Sequence, residues 1–286
     1  DSNVAGGQLF NLIANNGTLD LQQDSAVTLG VISGTGSLIQ NGSGVTTLVN
    51  NSYSGGTTIN AGTLSIGSDA GLGNAAGALT INGGTLQWTG VTASIARTIN
   101  RTAASTFDIQ SGIVTLTQAN GGGALTKSGA GGLGLSRHNS YTGGTTISGG
   151  SLRVNGTILG DVLNNGALTF GNSTAYAYGG SITGTGSLTT AGPGLLTLTG
   201  DSNYDGTTTI SGTGGLLITN GANLSWGGTT TFNNSQLLVN AGAHVTSGGA
   251  TSMTTGDITL TVDGTGSSFS TASINLTASS NRTVAG

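Results

Sequence analysis

Residues 33–67 read SGTGSLIQNGSGVTTLVNNSYSGGTTINAGTLSIG, and this stretch recurs twice more along the chain. The second copy spans residues 121–156 and the third spans residues 182–219. Each copy keeps one order: a Gly-x-Gly-x-Leu start, a loop with Tyr-x-Gly, and a Thr-Thr-Ile run or its equivalent. Recurring segments of this length indicate a repeat protein, in which stacked units bury one another's apolar faces.

The composition favours a regular, neutral structure over a disordered or disulfide-bonded one. Of 286 residues, 55 are Gly and one is Pro, while only 6% are charged. Disordered chains usually carry more charge and more proline. The apolar 35% is mostly small or branched, which suits many thin core layers. Because the chain has no Cys, disulfides and thiolate metal sites are excluded.

The charge balance and the length of the apolar runs exclude two classes of partner. The net charge is -4 and no basic run exists, so nucleic-acid phosphates would find no counter-charge. No stretch approaches the ~20 apolar residues of a membrane helix. We therefore expect no nucleic-acid binding and no direct membrane insertion by this fragment.

Short runs of alternating apolar and polar residues predict strands of three to five residues throughout. They include residues 18–21, 46–49, 63–66, 152–154, 195–199 and 258–262. Corner signals separate them, namely the Asn-Gly pairs that begin at Asn16, Asn41, Asn82, Asn155, Asn165 and Asn220. Both residue types tolerate the positive φ that sharp corners use. No helical stripe is sustained for three turns.

Hairpins would also use Asn-Gly, but a closed barrel needs about ten residues per strand, longer than any run here. The sequence therefore predicts an all-β fold, a right-handed parallel β-helix (β-solenoid) running as one elongated rod over residues 1–286. Roughly 20 residues per coil give about 14 coils stacked ~4.8 Å apart. Leu38, Leu125 and Leu188 follow the same Gly-x-Gly-x corner, so we expect all three to be buried at equivalent positions.

The repeat loops resemble those of the autotransporter-associated β-strand repeat, whose loop has the form N-x-Y-x-G-G-T-T-I. Residues 51–59 and 139–147 match that form, and residues 202–210 depart from it at Thr207, where a glycine is usual. The resemblance implies a passenger domain of the type V secretion pathway, similar to the AIDA-like adhesins. Such a domain would be exported by a Gram-negative bacterium and would be displayed at the cell surface or secreted.

The function that this resemblance implies is adhesion, to host surface, extracellular matrix or glycans, through a distributed face of the β-helix. Self-association between rods, giving autoaggregation and biofilm, is the first alternative. The second is a structural stalk for an effector or enzyme encoded elsewhere in the full-length chain. Ladders of Asn and Thr along one face would favour self-association, whereas a groove with aromatic or basic residues would favour host binding.

One segment has part of a metal-binding pattern. Asp201, Asn203 and Asp205 with Gly206 match the first half of an oxygen-ligand calcium loop. The twelfth position is Gly212 instead of Glu, and Asp and Asn are also favoured in solvated turns. These three polar residues are retained as weak binding candidates.

A few basic and aromatic residues are candidates for contacts with sugars. Arg137 with His138, and Arg97 with Arg101, are the concentrations of positive charge, suited to a sulfated or acidic sugar or to a solvated surface. Two of the short strands each end in a tryptophan. An outward ring there would stack on a partner, and an inward ring would fill a wide coil. These are Trp88 and Trp226.

The sequence offers little for catalysis. Residues 200–203 (Gly-Asp-Ser-Asn) approach the Gly-Asp-Ser-Gly of serine proteases, but the final residue differs and only His138 and His244 are available as bases. The G-x-G-x-x-G of residues 129–134 has no following helix to receive a pyrophosphate, so it is interpreted as a repeat corner. The chain has no Glu, and its Asp residues are scattered. We expect no enzyme activity, no cofactor and no bound metal.

Overall fold

The structure, a computed structural model, describes residues 8–9, 12–118, 121–276 and 282–285. The chain divides into two compact units, residues 1–144 (the N-terminal unit) and residues 145–286 (the C-terminal unit). Each unit is all-β. The part of the chain that the structure describes contains one four-residue 3-10 helix, Asp69–Leu72, and no α-helix. Among these residues, no helix is long and apolar enough to cross a membrane.

The N-terminal unit contains short strands of two to five residues. They are β1 (Gln8–Leu9), β2 (Ile13–Ala14), β3 (Thr18–Leu21), β4 (Val27–Leu29), β5 (Ile32–Ser33), β6 (Ser37–Gln40), β7 (Val45–Leu48), β8 (Thr57–Ile59), β9 (Thr63–Ile66), β10 (Leu79–Ile81), β11 (Thr85–Trp88), β12 (Ala93–Ile95), β13 (Ile99–Arg101), β14 (Ser105–Ile109), β15 (Ile113–Leu116), β16 (Leu125–Ser128) and β17 (Gly132–Leu135).

The C-terminal unit contains strands of three to five residues. They are β18 (Thr145–Ile147), β19 (Ser151–Val154), β20 (Val162–Asn164), β21 (Ala167–Phe170), β22 (Tyr176–Tyr178), β23 (Ile182–Gly184), β24 (Ser187–Thr190), β25 (Leu196–Leu198), β26 (Ser202–Tyr204), β27 (Thr208–Ser211), β28 (Leu216–Ile218), β29 (Asn223–Trp226), β30 (Thr230–Asn233), β31 (Gln236–Val239), β32 (His244–Ser247), β33 (Thr251–Thr255), β34 (Ile258–Val262), β35 (Ser268–Thr271), β36 (Ile274–Leu276) and β37 (Arg282–Ala285).

Parallel sheets form the sides of each unit. In the N-terminal unit the first sheet has the order β1-β4-β7-β9-β11-β14-β16 and the second has the order β13-β10-β8-β6-β3. The third side carries two shorter sheets, β2-β5 and β12-β15-β17. The chain passes from side to side before it returns to pair in parallel with its own earlier strand, as β3 pairs with β6. This is the topology of a β-helix.

The C-terminal unit has three more regular sheets. The first has the order β18-β20-β23-β26-β29-β32-β35, the second β19-β21-β24-β27-β30-β33-β36, and the third β22-β25-β28-β31-β34-β37. One strand to each side makes a coil, so this unit is also a parallel β-helix. The register gives the coil lengths: Ser151 pairs with Ala167, 16 residues later, and Ile258 pairs with Arg282, 24 residues later.

Alternate residues of the strands point inward and stack on the coils above and below. One inward column of the N-terminal unit follows the first sheet, with each residue paired to the next. It consists of Val27, Thr46, Leu64, Leu86, Phe107 and Lys127, all buried. Leu38, Leu125 and Leu188 are also buried, at 0%, 1% and 0% exposure, which confirms the predicted burial. Their strands β6, β16 and β24 belong to different sheets, so the expected equivalence of their positions was wrong.

The three repeat copies nevertheless do not start on the same side. Copy 1 starts with β6 in the second sheet of the N-terminal unit, and copy 2 starts with β16 in the first sheet of that unit. In the C-terminal unit, the Thr-Thr-Ile run of copy 2 is β18 in the first sheet, while that of copy 3 lies in β27 of the second. Equivalent motif residues are therefore displayed on different sides, and the motif does not by itself build one repeated face.

Corner glycines serve two needs, positive φ and close backbone approach. Among the predicted Asn-Gly corners, Asn82-Gly83 and Asn220-Gly221 enter the left-handed region, with φ of 114° at Gly83 and 61° at Asn220. At Gly42, a Cβ would lie 2.1 Å from the carbonyl oxygen of Gln23 in the coil below. No side chain fits at that distance, so glycine is required there for space.

Candidate functional site

The outward residues of each sheet also stack into columns, because parallel strands in register repeat one side chain about every 4.8 Å. Two such columns run along the first sheet of the N-terminal unit. The first, the N-terminal threonine column, is Thr63, Thr85, Thr106 and Thr126, and the second, the N-terminal amide column, is Ser65, Gln87, Asp108 and Ser128.

The N-terminal amide column is satisfied by its own hydrogen bonds. The Ser65 hydroxyl donates to Gln87 Oε1 at 2.8 Å, and Gln87 Nε2 donates to Asp108 Oδ2 at 2.9 Å. The Ser128 hydroxyl and Gln110 Nε2 also donate to the Asp108 carboxylate, at 3.1 and 2.7 Å. These side chains therefore have few groups left for a partner.

The second sheet of the C-terminal unit carries a column of hydroxyls, called the C-terminal threonine column. Each of its residues pairs with the next and is half-buried. It consists of Thr169, Thr189, Thr209, Thr231 and Ser252. β-branched hydroxyl residues stack well on a pleated surface and present one hydroxyl per coil to solvent.

The first sheet of the C-terminal unit contains a shallow depression lined by two neighbouring outward columns. One column contains Asp201, Asn223, His244 and Ser268, and the other contains Thr183, Asn203, Ser225, Thr246 and Ser270. Apart from half-buried Ser225, these side chains are exposed. Below them Leu224 is buried and forms part of the floor.

The two columns of this depression differ in their hydrogen bonding. Asp201 Oδ1 accepts from the Asn223 backbone N–H at 2.7 Å and from Asn223 Nδ2 at 3.3 Å. His244 Nδ1 lies 2.8 Å from the Ser268 hydroxyl. By contrast, Asn203 and Thr246 make no side-chain hydrogen bond among the residues that the structure describes. One half of the depression is internally bonded and the other half is open to a ligand.

The calcium-like segment is a strand and not a loop. Ser202–Tyr204 is β26, with Ser202 and Tyr204 buried and Asp201, Asn203 and Asp205 exposed. An extended strand rises about 3.3 Å per residue, so side chains two positions apart are about 7 Å apart and do not converge on one ion. The described residues hold no group of three or more His, Cys, Asp or Glu placed to bind a metal. Asp201 and Asn203 belong instead to the depression.

Arg137 and His138 lie in the N-terminal unit, after β17, and both are exposed. Arg137 Nε donates to the carbonyl oxygen of Thr117 in the previous coil at 3.2 Å. This pair remains a proposed basic contact point of the N-terminal unit.

Arg97 is buried. Both sequence interpretations, a solvated surface arginine and a sugar contact, are therefore wrong for it. It is 3% exposed and forms a salt bridge with Asp69, Nε to Oδ1, at 2.7 Å. Its Nη1 also donates to the carbonyl oxygens of Leu72 and Gly77, at 3.1 and 2.9 Å. Because the 3-10 helix and the loop after it leave carbonyls without strand partners, the guanidinium satisfies them and holds this corner closed.

Arg101 is also buried, at 3% exposure, and the sequence interpretation was wrong for it too. Its Nε donates to the Ser105 hydroxyl at 2.7 Å, and its guanidinium lies over the Tyr141 ring, 4.6 Å from the centroid. Burial lowers the pKa of Arg101, and Tyr141 acts in the opposite direction. The alternation of β13 does place Arg101 on the same inward side as Ile99, but a charged residue at an inward position is rare, so the surface interpretation was preferred.

The aromatic residues fill the coils. Trp88 and Trp226 are 1% and 0% exposed, so both rings face inward. Trp226 donates from Nε1 to Thr230 Oγ1 at 2.8 Å and stacks against Tyr204, with ring centroids 6.1 Å apart. Burial also raises the pKa of Tyr53 to about 12, although the Thr57 hydroxyl at 2.6 Å and Arg97 act against the shift. These rings are therefore core residues and not partner contacts.

The arrangement of hydroxyl, imidazole and carboxylate groups does not match a nucleophilic triad. Ser202 is 4% exposed, and its hydroxyl oxygen accepts from the Ile182 backbone N–H at 2.9 Å. His244 contacts Ser268, while the Asp201 carboxylate is bonded to Asn223 in the coil between them. A base needs both its nucleophile and its orienting carboxylate within hydrogen-bond reach.

The glycine-rich segment at residues 129–134 is a corner, as expected from the sequence. Gly129 has a φ of 76°, and β17 (Gly132–Leu135) follows it instead of a helix. The outward columns, in contrast, were missed from the sequence. Their signal was present as Thr-x-Thr or Thr-x-Ser spacings in consecutive strands, but the register that aligns them depends on uneven coil lengths.

Comparisons with known proteins agree with this architecture. The family model described as passenger-associated-transport-repeat matches residues 38–66, 125–154 and 188–218. The Adhesin BmaC autotransporter of Brucella suis biovar 1 (strain 1330) is 39% identical over 148 residues, which cover 49% of this chain and 4% of that protein. The chain thus spans a small fraction of the length of this curated relative. No solved structure matches. The chain thus carries the repeat of this family three times, and about half of it is similar to a short part of an autotransporter adhesin.

Proposed function

We propose that this passenger segment is an adhesin that acts at the bacterial cell surface or after export, holding its partners through outward polar columns. The observation that carries the proposal is the set of in-register hydroxyl and amide columns on the sheets of both units. The similarity to a protein named as an adhesin supports it. Many weak contacts at regular spacing add through avidity, so no single deep pocket is needed.

Self-association between copies is the mode of adhesion that the threonine columns favour. Thr189, Thr209 and Thr231 present hydroxyls that both donate and accept, so two such columns can bond to each other without complementary charges. The aromatic side chains that would favour a host-protein groove are largely buried, as Trp88 is, and the basic residues Arg97, Arg101 and Lys127 are buried as well. Autoaggregation and biofilm formation would follow from this mode.

Binding to host surface or matrix is the second mode, and the depression in the C-terminal unit supports it. It offers Asn203, Asn223 and Thr246 beside one carboxylate and one imidazole. We propose no enzymatic role, because the polar side chains there are spaced in columns and do not converge on one reacting atom. A stalk for an effector is the remaining alternative.

The test compares these modes with beads that carry the purified 286-residue chain. Beads are mixed with one another and with beads carrying matrix proteins or glycans, with the soluble chain as competitor. Self-association predicts clustering of chain-coated beads that the soluble chain inhibits. Clustering only with matrix or glycan beads would show the host-binding mode. If folded protein on the beads clusters with none of these, the adhesin proposal fails and the stalk alternative is supported.

A further inference from the structure

The depression on the first sheet of the C-terminal unit has the chemistry of a saccharide site. We propose that it binds an uncharged or amino-substituted oligosaccharide in an extended conformation, an inference that rests on the adhesin function proposed above. The groups involved are Thr183, Asp201, Asn203, Asn223, His244 and Thr246.

The spacing of these side chains forms a grid. Along each column, neighbouring coils place polar groups about 4.8 Å apart, as from Thr183 to Asn203. Across the columns, residues two positions apart on one strand, such as Asp201 and Asn203, are separated by about 7 Å. The step along a column is close to the length of one pyranose ring, so successive sugars of an extended chain can meet successive coils.

The unused hydrogen-bonding capacity is concentrated in one column of the depression. Among the described residues, Thr183, Asn203 and Thr246 have no side-chain hydrogen bond. The bonds of Asp201 involve Oδ1, and the contact of His244 involves Nδ1, which leaves Oδ2 and Nε2 for a ligand. Hydroxyl, amide, carboxylate and imidazole groups together donate and accept, as sugar hydroxyls require.

The same grid discriminates against other classes of ligand. Protein partners are usually anchored by aromatic or arginine side chains, and the lining contains neither. Asp201 repels sulfate, phosphate and uronate groups, and His244 is the single basic residue of the lining. A neutral or amino-substituted saccharide avoids that repulsion, and an amine would pair with the Asp201 carboxylate.

The experiment titrates defined tetrasaccharides into the 286-residue chain and follows binding by calorimetry and by saturation-transfer NMR. The probes are cellotetraose and chitotetraose for the uncharged class, deacetylated chitotetraose for the amino class, and a heparin tetrasaccharide for the anionic class. The double variant Asn203→Ala/Thr246→Ala removes open groups of the depression. Thr98→Ala/Asn100→Ala removes one hydroxyl and one amide from exposed positions of the N-terminal unit, outside every column named above, and is the matched control.

The wild-type chain is expected to bind at least one uncharged or amino tetrasaccharide, more tightly than the corresponding disaccharide. The depression variant should bind it at least tenfold more weakly, and the control should match the wild type. Equal binding by both variants, binding of the heparin probe alone, or no binding of any uncharged or amino probe would overturn the inference.

The bead assay on the same preparations separates this inference from the adhesin proposal. Beads that cluster or adhere while the wild-type chain binds no tetrasaccharide refute the saccharide site alone. Beads that neither cluster nor adhere refute the adhesin function. Circular dichroism of each variant checks that the fold is intact, since both substitutions are at outward positions that the core does not use.

Discussion

Lys127 is the one lysine of the chain, and it is buried in the core of the N-terminal unit. It lies in an inward column directly after Phe107, and its Nζ donates to the carbonyl oxygens of Ser128 and Gly129, at 2.6 and 2.9 Å. Burial lowers its pKa from 10.5 to about 8, although Asp108 acts in the opposite direction. Below pH ~8 the folded protein must therefore keep a charge in its core.

We expect Lys127→Met to raise the free energy of unfolding at pH 7 by about 1–2 kcal/mol, because a buried charge is replaced by an apolar side chain of similar length. Between pH ~8 and ~10.5 the wild-type lysine is neutral when folded and still charged when unfolded, so wild-type stability rises with pH. The advantage of the variant should shrink by about 1–2 kcal/mol between pH ~7 and ~9.5. Urea unfolding of both proteins at several pH values measures it. A difference that does not change with pH would contradict the assignment.

Tyr204 is a core residue, although it stands in the loop of the repeat motif. The repeat motif places Tyr53, Tyr141 and Tyr204 in a loop of each copy, and their rings are 0–1% exposed. Replacing any of them with Ala therefore tests the core and not adhesion. A motif identifies an equivalent position in each copy, but only the coil around it decides whether the ring faces inward.

For Tyr204→Ala we expect a loss of about 3–5 kcal/mol of stability, since the ring stacks on Trp226 in a closed coil. Tyr204→Phe should cost about 1 kcal/mol, because the Thr208 hydroxyl at 2.7 Å loses its partner. Urea unfolding separates the two contributions. If Tyr204→Ala were as stable as the wild type, the stacked core would be refuted at this coil.

At the scale of structural elements, one corner of the N-terminal unit is linked by side chains over successive coils. Thr102 Oγ1 donates to Asn82 Oδ1 at 2.8 Å, and Asn82 Nδ2 donates to Asn60 Oδ1 at 3.4 Å. Asn60 Nδ2 donates to Asn41 Oδ1, and Asn41 Nδ2 to Asp20 Oδ1, each at 2.7 Å. Every donor points toward the carboxylate of Asp20. The corner that follows the second sheet is therefore held by an asparagine ladder.

Asn60→Ala interrupts this ladder in the middle and should cost about 1 kcal/mol, a value kept small because the groups are partly exposed. The matched control is Asn100→Ala, an exposed asparagine on β13 with no side-chain hydrogen bond in the described chain. That control should change stability by less than about 0.5 kcal/mol. Thermal unfolding of both variants measures the difference. Equal effects of the two substitutions would refute a stabilising ladder.

Most strands were predictable from the sequence. Which strands and side chains lie next to each other in successive coils was not. The strands at residues 18–21, 63–66 and 258–262 match the alternation that predicted them. Coil lengths of 16 to 24 residues decide which side chains meet across strands. Those lengths are set by corners and insertions such as the Asp69–Leu72 helix, which leave no periodic signal.

At the scale of the whole molecule, adhesion through neutral columns has a distinct dependence on salt. Only 6% of the residues are charged, and the columns consist mostly of hydroxyls and amides. Raising NaCl from about 0.15 to about 1 M shortens the Debye length from ~8 to ~3 Å. We expect bead clustering to change less than about twofold over this range. A steep fall with salt would show that ion pairs hold the partners together.

The sequence repeats do not by themselves define a functional face. Copies 1 and 2 start on different sides of the N-terminal unit, with β6 in one sheet and β16 in another. Columns such as Thr189, Thr209 and Thr231 therefore come from non-equivalent motif positions that the register brings together. The expected distributed face remains a proposal, but its members are these columns and not the repeat loops.

The most direct test of the distributed contact compares single and combined substitutions in the C-terminal threonine column. Thr189→Ala, Thr209→Ala and Thr231→Ala are measured singly and together in the bead assay, with the triple Thr→Ser variant as a control that keeps every hydroxyl. We predict that each single change weakens clustering less than about twofold, that the triple Ala variant weakens it about tenfold or more, and that the triple Ser variant clusters like the wild type. A folded triple Ala variant that clusters like the wild type, or one single substitution that abolishes clustering, would contradict the account.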